Sequence, residues 1–94
     1  MNITIEVLGI LRDLTGLRTF GPELPEGATV GDAVKALLSA AKPDAARFLV
    51  DASTGEMAGC HLVLNTNSLR VPGDLSKTLS PGDHLVVIPP LAGG

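Results

Sequence analysis

Rings and thiols are nearly missing from this chain. Phe20 and Phe48 are the only aromatic residues among its 94, and Cys60 is the only cysteine. Without rings to stack bases, and with ten acidic against seven basic residues for a formal charge of −3, the composition excludes the basic, aromatic-lined surface that nucleic acid requires. A lone cysteine excludes an intrachain disulfide and with it a secreted disulfide scaffold, so a reducing, cytoplasmic setting is expected. No apolar run approaches the ~20 residues that span a bilayer, and Met1 to Glu6 has neither the basic nor the apolar part of a leader. A soluble chain with no membrane partner is expected. No nucleophile–base pair, metal-ligand spacing or phosphate loop stands out, so neither metal nor bound cofactor is expected. His61 and His84 read as isolated surface residues, and Cys60 as a packing residue.

What is present reads as one small domain. Ile3, Ile5 and Val7 alternate with polar neighbours, the pattern of a strand with one buried face. Leu11 to Gly16 reads as a connection with a helical turn, and Leu17 to Phe20 as the second strand of a hairpin. Thr29 is placed as the N-cap of a helix with Asp32 in its first turn, where the helix dipole favours a negative charge. Val30, Val34, Leu37, Leu38 and Ala41 draw one apolar stripe along that helix, and Lys42 and Pro43 end it. Residues 45–50 suggest a helical turn burying Phe48 and Leu49. A strand is expected over His61 to Asn65, a turn at Asn65-Thr66-Asn67, and a short edge strand over Leu69 to Val71. Ser80-Pro81-Gly82-Asp83 has proline and glycine where a type II turn needs them. Leu85 to Ile88 follows as a central strand lying beside the first. The order predicts an α+β, ubiquitin-like β-grasp: a mixed sheet with one main helix on one face.

The final stretch is the most informative. Pro89 and Pro90 remove two backbone donors, so sheet pairing stops there and the chain leaves in an extended direction. The expected division is a folded domain over 1–88 and a tail over 89–94, Pro89-Pro90-Leu91-Ala92-Gly93-Gly94. At ~3.1 Å per residue the tail reaches roughly 15–20 Å, and its two glycines suit close approach to a catalytic surface.

Leu11-Arg12-Asp13-Leu14-Thr15-Gly16, Leu24-Pro25-Glu26-Gly27-Ala28-Thr29-Val30, Pro81-Gly82-Asp83 and the Pro-Pro-Leu-Ala-Gly-Gly end, taken in this order, resemble the ubiquitin-like sulfur carriers. These include the molybdopterin synthase small subunit (MoaD) and the thiazole-forming carrier ThiS, and the paired prolines look more like MoaD. The chain departs from the family pattern in three places, one of them the segment from Asp51 to Gly59, which is longer than usual. Leu64-Asn65-Thr66-Asn67 stands where members often have Val-Asn-Gly, and Val7, Leu8, Val87 and Ile88 replace aromatics. The resemblance implies that an ATP-dependent activating enzyme of the MoeB/ThiF type adenylates the Gly94 carboxylate, after which a persulfide sulfur replaces AMP. The resulting thiocarboxylate donates sulfur, in a MoaD-like role to the pterin precursor inside the large subunit of molybdopterin synthase. The chain is then a protein cosubstrate more than an enzyme, and ATP is used by its partner.

Strand parity sends Leu8, Val63, Val86 and Ile88 to the sheet face away from the helix, with Leu69 nearby. Together they form an expected partner-binding patch of the kind the family uses beside its tail. The sequence leaves other readings open: a carrier for thiamine, cysteine or another thio-metabolite, a modifier that joins Gly94 to lysines, or a β-grasp binding module whose tail has no chemistry.

Overall fold

The computed structural model describes residues 1–9, 11–42, 61–70 and 73–89. The expected turn over residues 45–50 and the tail beyond Pro89 lie outside them. Strand β1 (Thr4–Val7) leads into a short helix, α1 (Leu11–Thr15), and then β2 (Thr19–Phe20). Helix α2 (Val30–Ala40) crosses the sheet. Strand β3 (His61–Leu64) turns into β4 (Asn67–Ser68), a 3₁₀ turn spans Gly73–Ser76, and β5 (His84–Ile88) closes the fold.

The sheet order is β2-β1-β5-β3-β4. Strand β5 is central, parallel to β1 with Ile5 opposite Leu85 and antiparallel to β3 with Leu62 opposite Val87. The alternation in the sequence becomes the two faces of this sheet. Ile3, Ile5, Val7, Leu62, Leu64, Leu85 and Val87 are buried beneath α2. From the helix come Val30, Ala33, Val34 and Leu37, with Leu38 and Ala41 packed half-buried at the margin. This is the expected β-grasp, a helix across a mixed sheet.

Helix α2 starts where the sequence says it should. The Thr29 hydroxyl accepts from the Asp32 backbone N–H at 3.3 Å and the Asp32 carboxylate accepts from the Thr29 backbone N–H at 2.9 Å, a reciprocal capping box. The hydrogen bond from the Thr29 backbone N–H foremost, with the Thr29 hydroxyl and nearby Lys35, holds the Asp32 carboxyl below its ordinary pKa, against a smaller opposing effect of desolvation. The helix stops at Ala40, two residues before the Lys42-Pro43 step, because proline disfavours helical backbone in its predecessor.

The edge strand is a correction. The pairing falls on polar Asn67–Ser68 and ends before Leu69, because Asn65 and Thr66 alone make the turn, with φ of 57° and 118°; Val71 lies outside the described residues. That two-residue turn sets Leu64 opposite Asn67 and Val63 opposite Ser68. The next step brings the Leu69 N–H to the Leu62 carbonyl at 2.8 Å, so Leu69 shares the inward side of Leu62.

Candidate functional site

The tail leaves from the middle of the sheet. Gly9 has a φ of +60°, and a Cβ placed on it would come within 3.0 Å of Pro89 Cγ, so the backbone after β1 passes close under the root of the tail. The Leu8 N–H donates to the Val87 carbonyl at 3.1 Å, which extends the β1–β5 ladder to this point. Glycine is required at position 9 on both counts, positive φ and close approach. Gly94, the residue expected to be activated, lies outside the described residues, with Pro90, Leu91, Ala92 and Gly93.

Four of the five patch residues share the open face. Val63 and Val86 sit opposite each other across β3 and β5, and Ile88 sits opposite His61. Leu8, beside the end of β5, is half-buried, as are Val63, Val86 and Ile88. The fifth is a correction: Leu69 is 7% exposed and belongs to the core, because the turn register rotates it inward. Leu69 therefore contributes nothing to the open face.

Polar groups border this apolar strip. His84 Nε2 and Glu6 Oε1 lie 3.2 Å apart, and His61 Nε2 and the Ser68 hydroxyl 3.1 Å apart. Neither histidine is isolated, contrary to expectation. The Asn65 side chain donates to Asp83 Oδ1 at 2.8 Å and accepts from the His84 backbone N–H at 2.8 Å, which locks the β3–β4 turn to the start of β5. Between these groups lies an open depression of about 410 Å³, lined by Val63, Asn65, Thr66, His84 and Val86. Among the described residues no cluster of three metal-ligating side chains occurs. Among the described residues the arrangement offers a docking face beside an emerging strand end and no enclosed reaction chamber.

A helix laid across a five-stranded mixed sheet, with the last strand at its centre, defines a ubiquitin-like β-grasp protein. The ThiS family model matches residues 5–94, and the chain belongs to the ThiS family of ubiquitin-like sulfur carriers and modifiers. Among solved structures, it is similar to SAMP1 of Haloferax volcanii at 26% identity and a TM-score of 0.86, with both chains fully covered. It is likewise similar to a chain of the Amycolatopsis orientalis BexX/CysO complex at 26% identity and a TM-score of 0.69, covering 98% of this chain and 99% of that one. A putative molybdopterin converting factor subunit 1 from Pyrococcus furiosus shares the fold, at 22% identity and a TM-score of 0.74, over 97% of this chain and 99% of that one.

Proposed function

We propose that this protein is a sulfur carrier whose Gly94 carboxylate is adenylated by an ATP-dependent activating enzyme of the MoeB/ThiF type and converted to a thiocarboxylate. At neutral pH a terminal carboxylate, with a reference pKa of about 3.3–3.7, is an anion and a poor electrophile, so activation has to come first. The carboxylate oxygen attacks the α-phosphate of ATP and pyrophosphate leaves. A persulfide sulfur on a partner then displaces AMP from the acyl carbon, and reductive cleavage of the resulting acyl disulfide by a thiol leaves sulfur on Gly94. The protein provides the carried group, and the catalytic side chains belong to its partners. The observation that supports this reading is the ThiS family match running through Gly93-Gly94, in a fold whose central strand ends at the root of that tail.

For the acceptor, the proposed role is the small subunit of molybdopterin synthase, supported by the paired prolines and by the fold shared with the Pyrococcus furiosus converting factor. A second reading, attachment of Gly94 to lysines, is favoured by the full-length similarity to SAMP1, named a small archaeal modifier protein.

Intact-mass measurement after incubation with ATP, the activating enzyme and a sulfur donor tests the carrier chemistry. The expected result is a gain equal to exchanging one oxygen for sulfur, mapped to Gly94 and abolished by removal of Gly93 and Gly94. An unchanged mass with a competent enzyme defeats it. Recovery of Gly94–lysine conjugates in place of the thiocarboxylate selects the modifier reading.

A further inference from the structure

Three of the seven basic residues of this acidic chain converge on one cleft. Arg12 from α1, Arg18 just before β2 and Lys42 after α2 line an open space of about 540 Å³ together with Gly16 and a single acidic residue, Asp13. Among the described residues none of the three cations has a carboxylate within 4.0 Å. Like charges repel, so a cluster of this kind costs stability unless something compensates it.

The cations are held in place. Arg12 Nε donates to the Val7 carbonyl at 2.9 Å, which fixes the plane of the guanidinium and leaves its terminal nitrogens for another partner. Buried Thr15 anchors the opposite wall: its hydroxyl donates to the Leu11 carbonyl at 2.6 Å, and its own carbonyl accepts from the Lys42 backbone N–H at 3.0 Å. The Lys42 stem lies across Gly16, where an added Cβ would approach Lys42 Cε to 3.0 Å, and Nζ reaches the Asp13 carbonyl at 3.4 Å. A fixed guanidinium fork beside a flexible ammonium suits carboxylates, which accept from both.

The cleft adjoins the root of the tail. Arg12 bonds the last residue of β1, and its N–H donates to the carbonyl of Gly9, the residue packed under Pro89. Gly9 alone thus links Arg12 to the tail root at Pro89.

We infer that the cleft docks an acidic segment, aspartate or glutamate side chains, of the activating enzyme that takes up the tail. This inference rests on the carrier reading above. The open form of the cleft suits protruding side chains of a protein. The cleft adds a second, charged contact to the apolar strip and fixes the rotation of the carrier about its tail.

The test measures steady-state activation, by pyrophosphate release, of the full chain by the activating enzyme of its own organism. Arg18 and Lys42 are exposed and are changed together, Arg18→Glu with Lys42→Glu. Lys35→Glu with Lys77→Glu, at exposed positions elsewhere, makes the same change in net charge and is the control. The cleft pair is expected to raise KM about tenfold with kcat nearly unchanged, and to lose the rise of KM with salt shown by the unaltered protein. The control pair is expected to change KM by less than about twofold. Equal effects of the two pairs, or no effect of the cleft pair, overturn the inference while leaving the carrier chemistry standing. Saturable shifts of the Arg12 and Gly16 amides on titration with inorganic phosphate, with KM unaltered in the cleft variant, reassign the cleft to a small anion and overturn it as well. No activation of the unaltered chain removes the carrier reading and the inference with it.

Discussion

Glu6 and His84 are 78 residues apart in the chain and meet at 3.2 Å on the open face of the sheet. The parallel register that sets Glu6 opposite Val86 brings them together, and it places them at the border of the apolar strip formed by Leu8, Val63, Val86 and Ile88. A half-buried pair at the sheet surface contributes about 0–1 kcal/mol, so Glu6→Ala or His84→Ala is expected to leave the fold nearly unchanged. The strip itself is different: Leu8→Asp or Ile88→Asp is expected to keep the thermal midpoint within a few degrees and to weaken binding to the partner enzyme at least about tenfold, because a lone charge is desolvated on docking. Leu69→Ala reverses that pattern. It empties part of the core and is expected to cost about 2–3 kcal/mol with no separate loss of affinity. Calorimetry of folding and titration of binding on the three variants separate the two faces, and affinities of the strip variants equal to that of the unaltered protein would remove the strip from the docking surface.

Thr66 holds a φ of 118°, a region where a β-branched side chain is strained. Relief of about 1–3 kcal/mol by glycine is partly offset by the extra freedom glycine gives the unfolded chain. Thr66→Gly is therefore expected to stabilise by about 1 kcal/mol, raising the thermal midpoint by roughly 5 °C. A midpoint that does not rise in Thr66→Gly would show that the turn relaxes without strain.

The capping box gives a pH dependence whose sign is fixed. Asp32 has a folded pKa below its unfolded one, so its contribution is fully present above the ordinary carboxylate range and disappears as pH falls through the lowered folded value. Asp32→Ala is expected to lower the thermal midpoint at neutral pH, with the gap to the unaltered protein closing below about pH 4. Thr29→Ala removes the reciprocal bond and is expected to cost about 1 kcal/mol. A gap for Asp32→Ala that stays constant down to low pH would mean that its carboxylate is not what secures the helix start.

Gly9 supports the tail root from below. Gly9→Ala imposes a side chain on a backbone with φ of +60° and drives it against Pro89. A loss of about 1–2 kcal/mol is expected, together with chemical-shift changes centred on Leu8 and Ile88 and slower activation of the tail. Stability equal to the unaltered protein would show that the packing under Pro89 is loose.

The alternation of Ile3, Ile5 and Val7, the capping residues Thr29 and Asp32, and the Pro81-Gly82 turn each encode their structure within a few neighbours, and these were readable. Ser80 and Asp83 close that turn as expected, with Gly82 at a φ of 82°. Leu69 was misplaced because the Asn65-Thr66 turn has no glycine to announce it, and the apolar Leu69 and Val71 outweighed polar Asn67 and Ser68 as strand residues. The contact of Glu6 with His84 and the convergence of Arg12, Arg18 and Lys42 depend on a parallel register and on chain folding over long separations. No local pattern carries that information.

The seating of β5 between β1 and β3 also determines how the molecule bears load. A pull on Pro89 runs along the axis of a strand bonded on both sides, so the parallel ladder and the antiparallel ladder have to shear together instead of peeling one bond at a time. Neighbours such as Ile5 and Leu85 are about eighty residues apart in the chain, so losing that seam means giving up the least local and slowest-formed contacts of the fold. Pro89 is thus fastened to a strand whose two ladders share any load placed on it.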